Sequence, residues 1–404
     1  MLIKLKDVCT TITDGSHYSP VGIENGYPML SVKDMGEYGF DYSDCKFISK
    51  EDYEILIKNG CKPMKNDILI AKDGSYLKEI FVIEEEKEEV ILSSIAILRP
   101  NLNIVNSYYL AYYLKTSHIK EIVSAKYVTG SVLKRIILKN FENIEIDLPN
   151  KDIQDKIANI LSNIDNQIKR NNAIIKRLQD LAQTTYSKWF NQFEFPNNEG
   201  KPYKSDGGEL VYNEELGREI PIDWEVKTLG DIIKKVTPNF SCSSNLPTID
   251  LSVMPSSSFM LNELNESKNF TSNLFAMEKG NILFGSIRPY LKKAGIAPCN
   301  GVVAGTVHQY KETDKDFYNF ALMTMVQNSF FDYALQVATG TKMPVVSSDN
   351  LLNYKVPFNK ETVKKFQDSF NLVGITCNCV MQNQELNKLK EKLLPLLING
   401  QLNI

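Results

Sequence analysis

Two stretches of the chain carry an apolar period of 3.5 residues, the signature of a helical seam. From Ile157 the first runs through Leu161, Ile164, Ile168, Asn171, Ile175, Leu178 and Ala182, in alternating steps of four and three. The second keeps the same phase at Leu372, Ile375, Cys379, Gln382, Leu386, Leu389 and Leu393. One polar residue interrupts each seam at the equivalent place, Asn171 and Gln382. A buried polar side chain in a seam lowers stability but sets register and partner. The shared phase and interruption predict that the two helices pair with each other. Two separate surface helices, each packed on its own domain, form the alternative.

The rest of the chain reads as a duplication. Leu5-Lys6-Asp7-Val8 matches Leu229-Gly230-Asp231-Ile232, and Met64 to Ile70 (MKNDILI) matches Glu278 to Phe284 (EKGNILF). Tyr76-Leu77-Lys78 and Tyr290-Leu291-Lys292 follow in the same order, then Thr129-Gly130-Ser131 and Thr339-Gly340-Thr341, then Leu148-Pro149 and Val356-Pro357. Within each half, short β-branched and aromatic runs such as 68–71, 81–83, 90–97, 282–284 and 301–308 alternate with turn signals. A helical stretch precedes each Thr-Gly pair, at 107–126 and 316–337. The predicted fold class is α+β, with two domains built on irregular, mostly antiparallel sheets and separated by two long antiparallel coiled-coil helices. The expected boundaries are 1–150 for the first domain, 151–193 for the first helix and 194–225 for a linker rich in Pro, Gly and Asn. They continue with 226–357 for the second domain and 358–401 for the second helix.

Composition narrows the function. Hydrophobic residues make 43% of the 404, and 46 basic against 49 acidic residues leave a net charge of −3, which excludes a broadly polybasic protein. Residues 1–150 hold 18 basic and 22 acidic side chains, residues 226–357 hold 12 and 10. Much of the first half's acidity is the run Glu84-Glu85-Glu86-Lys87-Glu88-Glu89, expected to cap a hairpin. Seven scattered Cys suit a reduced, cytoplasmic protein, and Cys377 and Cys379 read as small apolar helix residues rather than metal ligands. No apolar run is long enough to span a membrane, and the N-terminus has no secretory pattern. There is no phosphate-binding glycine loop, no zinc motif, no N-P-P-[YF] and no nuclease core. Of the three His, His17 falls in a turn, His118 is expected to pack, and His308 has no triad context. A non-catalytic chain without its own metal or cofactor is expected.

These features together resemble the DNA sequence-specificity subunit of type I restriction-modification systems. The resemblance spans essentially the whole chain and is most specific from Asn197 to Ile232 (NNEGKPYKSDGGELVYNEELGREIPIDWEVKTLGDI). It implies two target-recognition domains that read the halves of a split, asymmetric site in double-stranded DNA. It also implies docking of methyltransferase subunits on the helices and of an endonuclease-translocase subunit. S-adenosylmethionine, ATP and Mg would belong to those partners. A coiled-coil scaffold that reads no DNA is the rival reading.

Phosphate and base contacts call for Lys, Arg, amide and hydroxyl groups beside glycines. In the first half the candidates are Ser75, Tyr76 and Lys78, with Lys126, Thr129, Ser131, Lys134 and Arg135. In the second they are Ser286, Arg288, Tyr290, Lys292 and Lys293, with Thr339, Thr341, Lys342 and Ser347. A helix of roughly 40 residues is about 60 Å long, against about 34 Å for one turn of duplex. The helices therefore have the reach to act as a ruler. Inserting one heptad into both should lengthen the unread spacer of the DNA site; an unchanged spacer in the methylated sites would reject that role.

Overall fold

A computed structural model describes residues 2–73, 77–126, 128–129, 135–240, 245–259, 261, 264–270 and 273–402. It divides into two compact units: Met1–Asn166 with Asn387–Ile404, and Gln167–Leu386.

The first unit is organised by an antiparallel sheet in the order Cys9–Asp14, Ile95–Pro100, Ile68–Ala71, Ile80–Val82. Its central strand Ile68-Leu69-Ile70-Ala71 is wholly buried. Side chains alternate across a strand, so Ile68 and Ile70 join one core with Tyr109, Leu110 and Phe141. Leu69 and Ala71 join another with Phe81, Ile95 and Ile97. That is why the run is continuously apolar rather than alternating: both faces are covered. A second sheet places Tyr27–Leu30 between Lys46–Ile48, antiparallel, and Val90–Ile91, parallel.

The second unit repeats this plan. Its sheet runs Ile233–Lys235, Val307–Glu312, Ile282–Gly285, Ala294–Ile296, again antiparallel throughout. Its other sheet sets Pro247–Ile249 between antiparallel Asn265–Glu266 and parallel Gly301–Ala304, and adds Leu274–Met277 at the edge. The matched tetrapeptides Leu5–Val8 and Leu229–Ile232 are both single helical turns. The matched turns before the central strands place Asn66 (φ 70°) and Gly280 (φ 94°) at the same left-handed position, which Asn and Gly tolerate best.

One expectation about strand connection fails. The acidic run 84–89 does not cap a hairpin, because Ile80–Val82 and Val90–Ile91 lie in different sheets and the run crosses between them. Its last residue, Glu89, is buried and accepts a 2.6 Å hydrogen bond from the Tyr42 hydroxyl. Burial raises its carboxyl pKa against the opposing pull of Tyr42 and two lysines.

The first long helix runs Lys151–Tyr186 and ends in a π turn, Ser187–Asn191. The segment expected as one second helix is two, Lys360–Ser369 and Leu372–Ile398. Phe370 turns extended (φ −140°, ψ 130°), and the Asn371 side chain accepts from the Gly374 N–H at 3.0 Å, capping the new start. Between the halves, Leu210–Asn213 pairs with Arg218–Pro221. Here Trp224 packs 5.1 Å from Phe195 and 5.8 Å from Phe190, so core packing accounts for it.

The seam forms, with a corrected phase on the second helix. In the first unit Ile157, Ala158 and Leu161 share a core with Leu393, Leu394 and Leu397, while Asp165 meets Lys390, so the segments run antiparallel. In the second unit Asn171 donates to Asn383 at 2.9 Å and to Gln382 at 3.3 Å, and Asn383 donates to Asn172 at 2.7 Å. Gln382 itself is exposed and Asn383 is the buried residue; Leu389 is 45% exposed and Lys390 turns inward. An α-helix repeats every 3.6 residues, not 3.5, so an unsupercoiled helix drifts past a strict heptad. After Cys379 that drift moves the inward face one residue on. Leu178, Ile375, Leu386 and Leu393 are half-buried, whereas Leu161, Ile164, Ile168, Asn171, Ile175, Leu372 and Cys379 are buried.

Lys390 carries the densest polar contact of the first unit. Its ammonium lies 2.7 Å from Asp165, 3.0 Å from Glu37 and 3.2 Å from the Tyr38 hydroxyl, and Tyr112 donates to Asp165 at 2.6 Å. Burial pulls the lysine pKa down, but Asp165 and Glu37 outweigh it and the net shift is upward. Stabilisation from a raised cation is present below the ordinary lysine value of 10.5 and is lost as pH climbs through the higher folded value. Replacing Lys390 by Met strands Asp165 in the interior and should cost about 3–5 kcal/mol. Denaturant midpoints at neutral pH measure that loss, and the variant should no longer show the wild-type decline above pH 10.5; equal midpoints would reject the role given to this lysine.

Candidate nucleic-acid interface

In the second unit the two candidate stretches, some fifty residues apart, form one surface at an end of the central sheet. The Arg288 N–H donates to the Pro344 carbonyl at 2.8 Å, and the Val346 N–H donates to the Ser286 carbonyl at 2.9 Å. Thr339 and Val345 exchange both backbone hydrogen bonds at 2.9 Å, closing a tight loop around Gly340 (φ 93°). Pro289–Leu291 is a short 3-10 turn flanked by Arg288 (φ 53°) and Lys292 (φ 51°), both left-handed. Holding two non-glycine residues there costs about 1–3 kcal/mol each. The neighbouring loop compensates by fixing the Arg288 backbone.

Not every candidate points outward. Arg288, Tyr290, Thr339, Thr341 and Lys342 are exposed. Ser286 is not available for DNA: it is 3% exposed and its hydroxyl donates to the Thr306 carbonyl at 2.8 Å. Ser347 is exposed but caps the helix Ser348–Leu352, accepting from the Asn350 N–H at 3.1 Å. Lys292 reaches Asn328 at 2.7 Å, and Lys293 donates to the Leu251 carbonyl. Two exposed apolar residues of the same loop, Met343 and Val345, escaped the sequence reading. A search for basic and hydroxyl groups passes over them, although thymine methyl groups are read by apolar contact. Beneath the surface, the His308 Nε2–H donates to the Val346 carbonyl at 3.0 Å, and burial lowers the ring's pKa.

The first unit has the same junction. Thr129 pairs with Arg135 across the six-residue span by which Thr339 pairs with Val345, and the Ile136 N–H donates to the Lys72 carbonyl at 3.0 Å. Ser75, Tyr76, Ser131 and Lys134 lie outside the described residues, and for Thr129 and Arg135 only the backbone is described. Lys126 ends the helix Ser117–Lys126 and is exposed; Lys78 is exposed, 3.5 Å from Glu79. Lys72, which takes the place of Ser286, is a buried cation paired with Asp14 at 2.7 Å, with the exposed His17 ring 3.4 Å from the same carboxylate. Nothing in sequence spacing joins Asp14 to Lys72; the sheet does. His118 is exposed rather than packed.

Cys377 and Cys379 are buried in the second helix, and burial pushes the Cys377 thiol up to about 11, away from thiolate chemistry. Among the described residues no cluster of three or more His, Cys, Asp or Glu side chains could hold a metal ion. No helix among them is long and apolar enough to cross a membrane.

Comparisons with known proteins agree with this architecture. Residues 1–180 match the type I restriction modification DNA specificity domain. The type I restriction enzyme MjaVIII specificity subunit of Methanocaldococcus jannaschii is 26% identical over 406 aligned residues, covering 95% of this chain and 87% of that protein. The putative MjaX specificity subunit of the same organism is 23% identical, covering 99% and 93%. The crystal structure of the type I restriction-modification S subunit from M. genitalium shares the fold with a TM-score of 0.55 at 15% identity, over 98% of this chain and 95% of that one. With the domain match over residues 1–180 and similarity along almost its entire length, the chain is similar throughout to the specificity subunits of type I restriction-modification systems.

Proposed function

We propose that this chain reads a bipartite, asymmetric DNA site, each half of the site through one of its two units, and carries no catalytic step itself. The observation that supports this most directly is the duplicated junction of loops with diverged chemistry. An equivalent backbone hydrogen bond joins the loops in each unit, Ile136 N–H to the Lys72 carbonyl in one and Val346 N–H to the Ser286 carbonyl in the other, yet buried Lys72 stands where the other unit has Ser286. Conserved geometry with different side chains suits two readers of unlike sequence, whereas identical readers would require a palindrome. In the second unit the exposed Arg288 and Lys342 would supply the cationic contacts, and the exposed Tyr290, Thr339, Thr341 and Met343 would meet base edges and sugar. The near-neutral net charge of −3 fits a reader that works inside a complex whose other subunits add non-specific grip.

On the same reading, methyltransferase and endonuclease-translocase subunits dock on the long helices, and S-adenosylmethionine, ATP and Mg serve those partners. The exposed Ile174 and Leu181 on the first helix and Leu389 on the second are apolar residues suited to such contact. Reading DNA places the chain's work in the cytoplasm.

Replacing Arg288 and Lys342 by Ala should each weaken DNA binding and reduce the slope of log affinity against log salt by about one. Equal affinity and slope for both variants would remove this surface from the interface. Coexpression with a cognate methyltransferase subunit, followed by genome-wide mapping of modified adenines, should yield one split motif with two defined halves. A chain that assembles with the methyltransferase but adds no motif is a scaffold.

A further inference from the structure

At one end of the first unit's central sheet three strands meet: Cys9–Asp14 and Ile68–Ala71 finish there and Ile95–Pro100 begins. Asp14 stands opposite Ala96, and Ala71 opposite Ile95. The Gly15 N–H donates to the Ile95 carbonyl at 3.3 Å and the Lys72 N–H to the Ser94 carbonyl at 3.1 Å. The loop after Asp14 therefore leaves the sheet beside the Lys72 junction, and the 2.7 Å ion pair between Asp14 and Lys72 ties the two together.

This loop is fixed along its length. Gly15 lies so close to the neighbouring strand that a Cβ would overlap the Ile91 carbonyl. The Ser16 N–H donates to that same carbonyl at 2.8 Å, and the Ser93 N–H donates to the Ser16 carbonyl at 2.9 Å. The Ser16 hydroxyl donates to the Tyr18 carbonyl at 2.6 Å and accepts from the Tyr18 N–H at 3.0 Å. Lys46 donates to the Ser19 hydroxyl at 2.9 Å and to the Pro20 carbonyl. The Ile23 N–H closes the loop on the Phe47 carbonyl at 2.9 Å.

A backbone held this firmly presents its apolar side chains to solvent. Tyr18 is 64% exposed, Val21 81% and Ile23 43%. Single exposed apolar residues are ordinary on protein surfaces. Three on one short, ordered loop beside the junction form a patch, and its order lowers the entropy lost on binding. Val21 has no group that bonds to a phosphate or a polar base edge. The apolar feature of the major groove is the thymine 5-methyl group. In the second unit the exposed apolar residues Met343 and Val345 lie on the junction loop itself.

We propose that residues 17–23 are a second reading loop of the first unit, in which Val21 packs on the methyl group of a thymine and Tyr18 contacts the adjoining nucleotide. The proposal rests on the DNA reading set out above and adds to it a base: the half-site of the first unit holds a thymine recognised through its methyl.

The test uses the chain coexpressed with its methyltransferase subunit and maps modified adenines genome-wide. Val21→Ala and Tyr18→Ala should each relax at least one position in one half of the split motif and leave the other half unchanged. Arg288→Ala, in the second unit, should not relax that half. Both altered side chains are exposed, so melting temperatures should match wild type. On duplexes carrying the motif, deoxyuridine in place of the relaxed thymine removes only the methyl group. It should weaken wild-type binding about fourfold, the worth of one buried methyl, and leave Val21→Ala binding unchanged. A split motif that neither loop variant alters overturns the proposal while DNA reading stands. Equal weakening across all sequences also overturns it, since that is phosphate contact. So does a deoxyuridine effect that is absent in wild type or equal in Val21→Ala. A wild-type chain that yields no motif is the failure of DNA reading itself, and the loop's role falls with it.

Discussion

Buried polar contacts between the two long helices are the constraint on which both units depend. Apolar seams tolerate sliding by a turn, because Leu, Ile and Val fit one another in many registers. Asn171 opposite Asn383, and Asp165 opposite Lys390, do not. Each is almost removed from water, so any other register would leave an amide or a charge unpaired at a cost of several kcal/mol. In the first unit this contact reaches beyond the helices: Glu37, Tyr38 and Tyr112 from the sheet-containing domain close around the same lysine and aspartate. One cluster thus fixes helix register and the seating of that domain together.

A consequence follows for the order in which the molecule is completed. The core containing Ile157 and Leu161 also contains Leu397, more than two hundred residues later. The first unit is therefore not finished until the last helix has been made. Closing so long a loop costs entropy that grows only slowly with length, and the buried apolar and charged contacts at its end supply the compensation. The second unit is contiguous and gathers its own aromatic core around Phe190, Phe320 and Phe366, with rings 4.7 and 5.4 Å from Phe190.

Duplication explains how one chain presents two different surfaces on one scaffold. Strand order, the parallel pair in the second sheet, the left-handed residue before the central strand and the loop junction recur in both units. What differs lies at the ends of the sheets. Lys72 replaces Ser286 at one end. A scaffold held by backbone hydrogen bonds and apolar layers tolerates such exchange because neither depends on those side chains.

The chain's own sequence determined the repeat, the strand runs, the long helices and their pairing, since periods of 2 and 3.5 follow from local backbone geometry and apolar burial. It also marked the loops that carry Arg288 and Lys342. Tertiary structure decided the rest. The break at Phe370 arises because that ring packs 5.3 Å from Phe366 while Asn371 caps a new helix. The shift from Gln382 to Asn383 arises because helical drift accumulates until a buried amide must find a partner. Ser286 and Ser347 look like DNA contacts in a list of hydroxyls, yet one is bound to the Thr306 carbonyl and the other to a helix terminus. A residue's type announces which hydrogen bonds it is able to make; only its neighbours in space determine which remain free for a ligand.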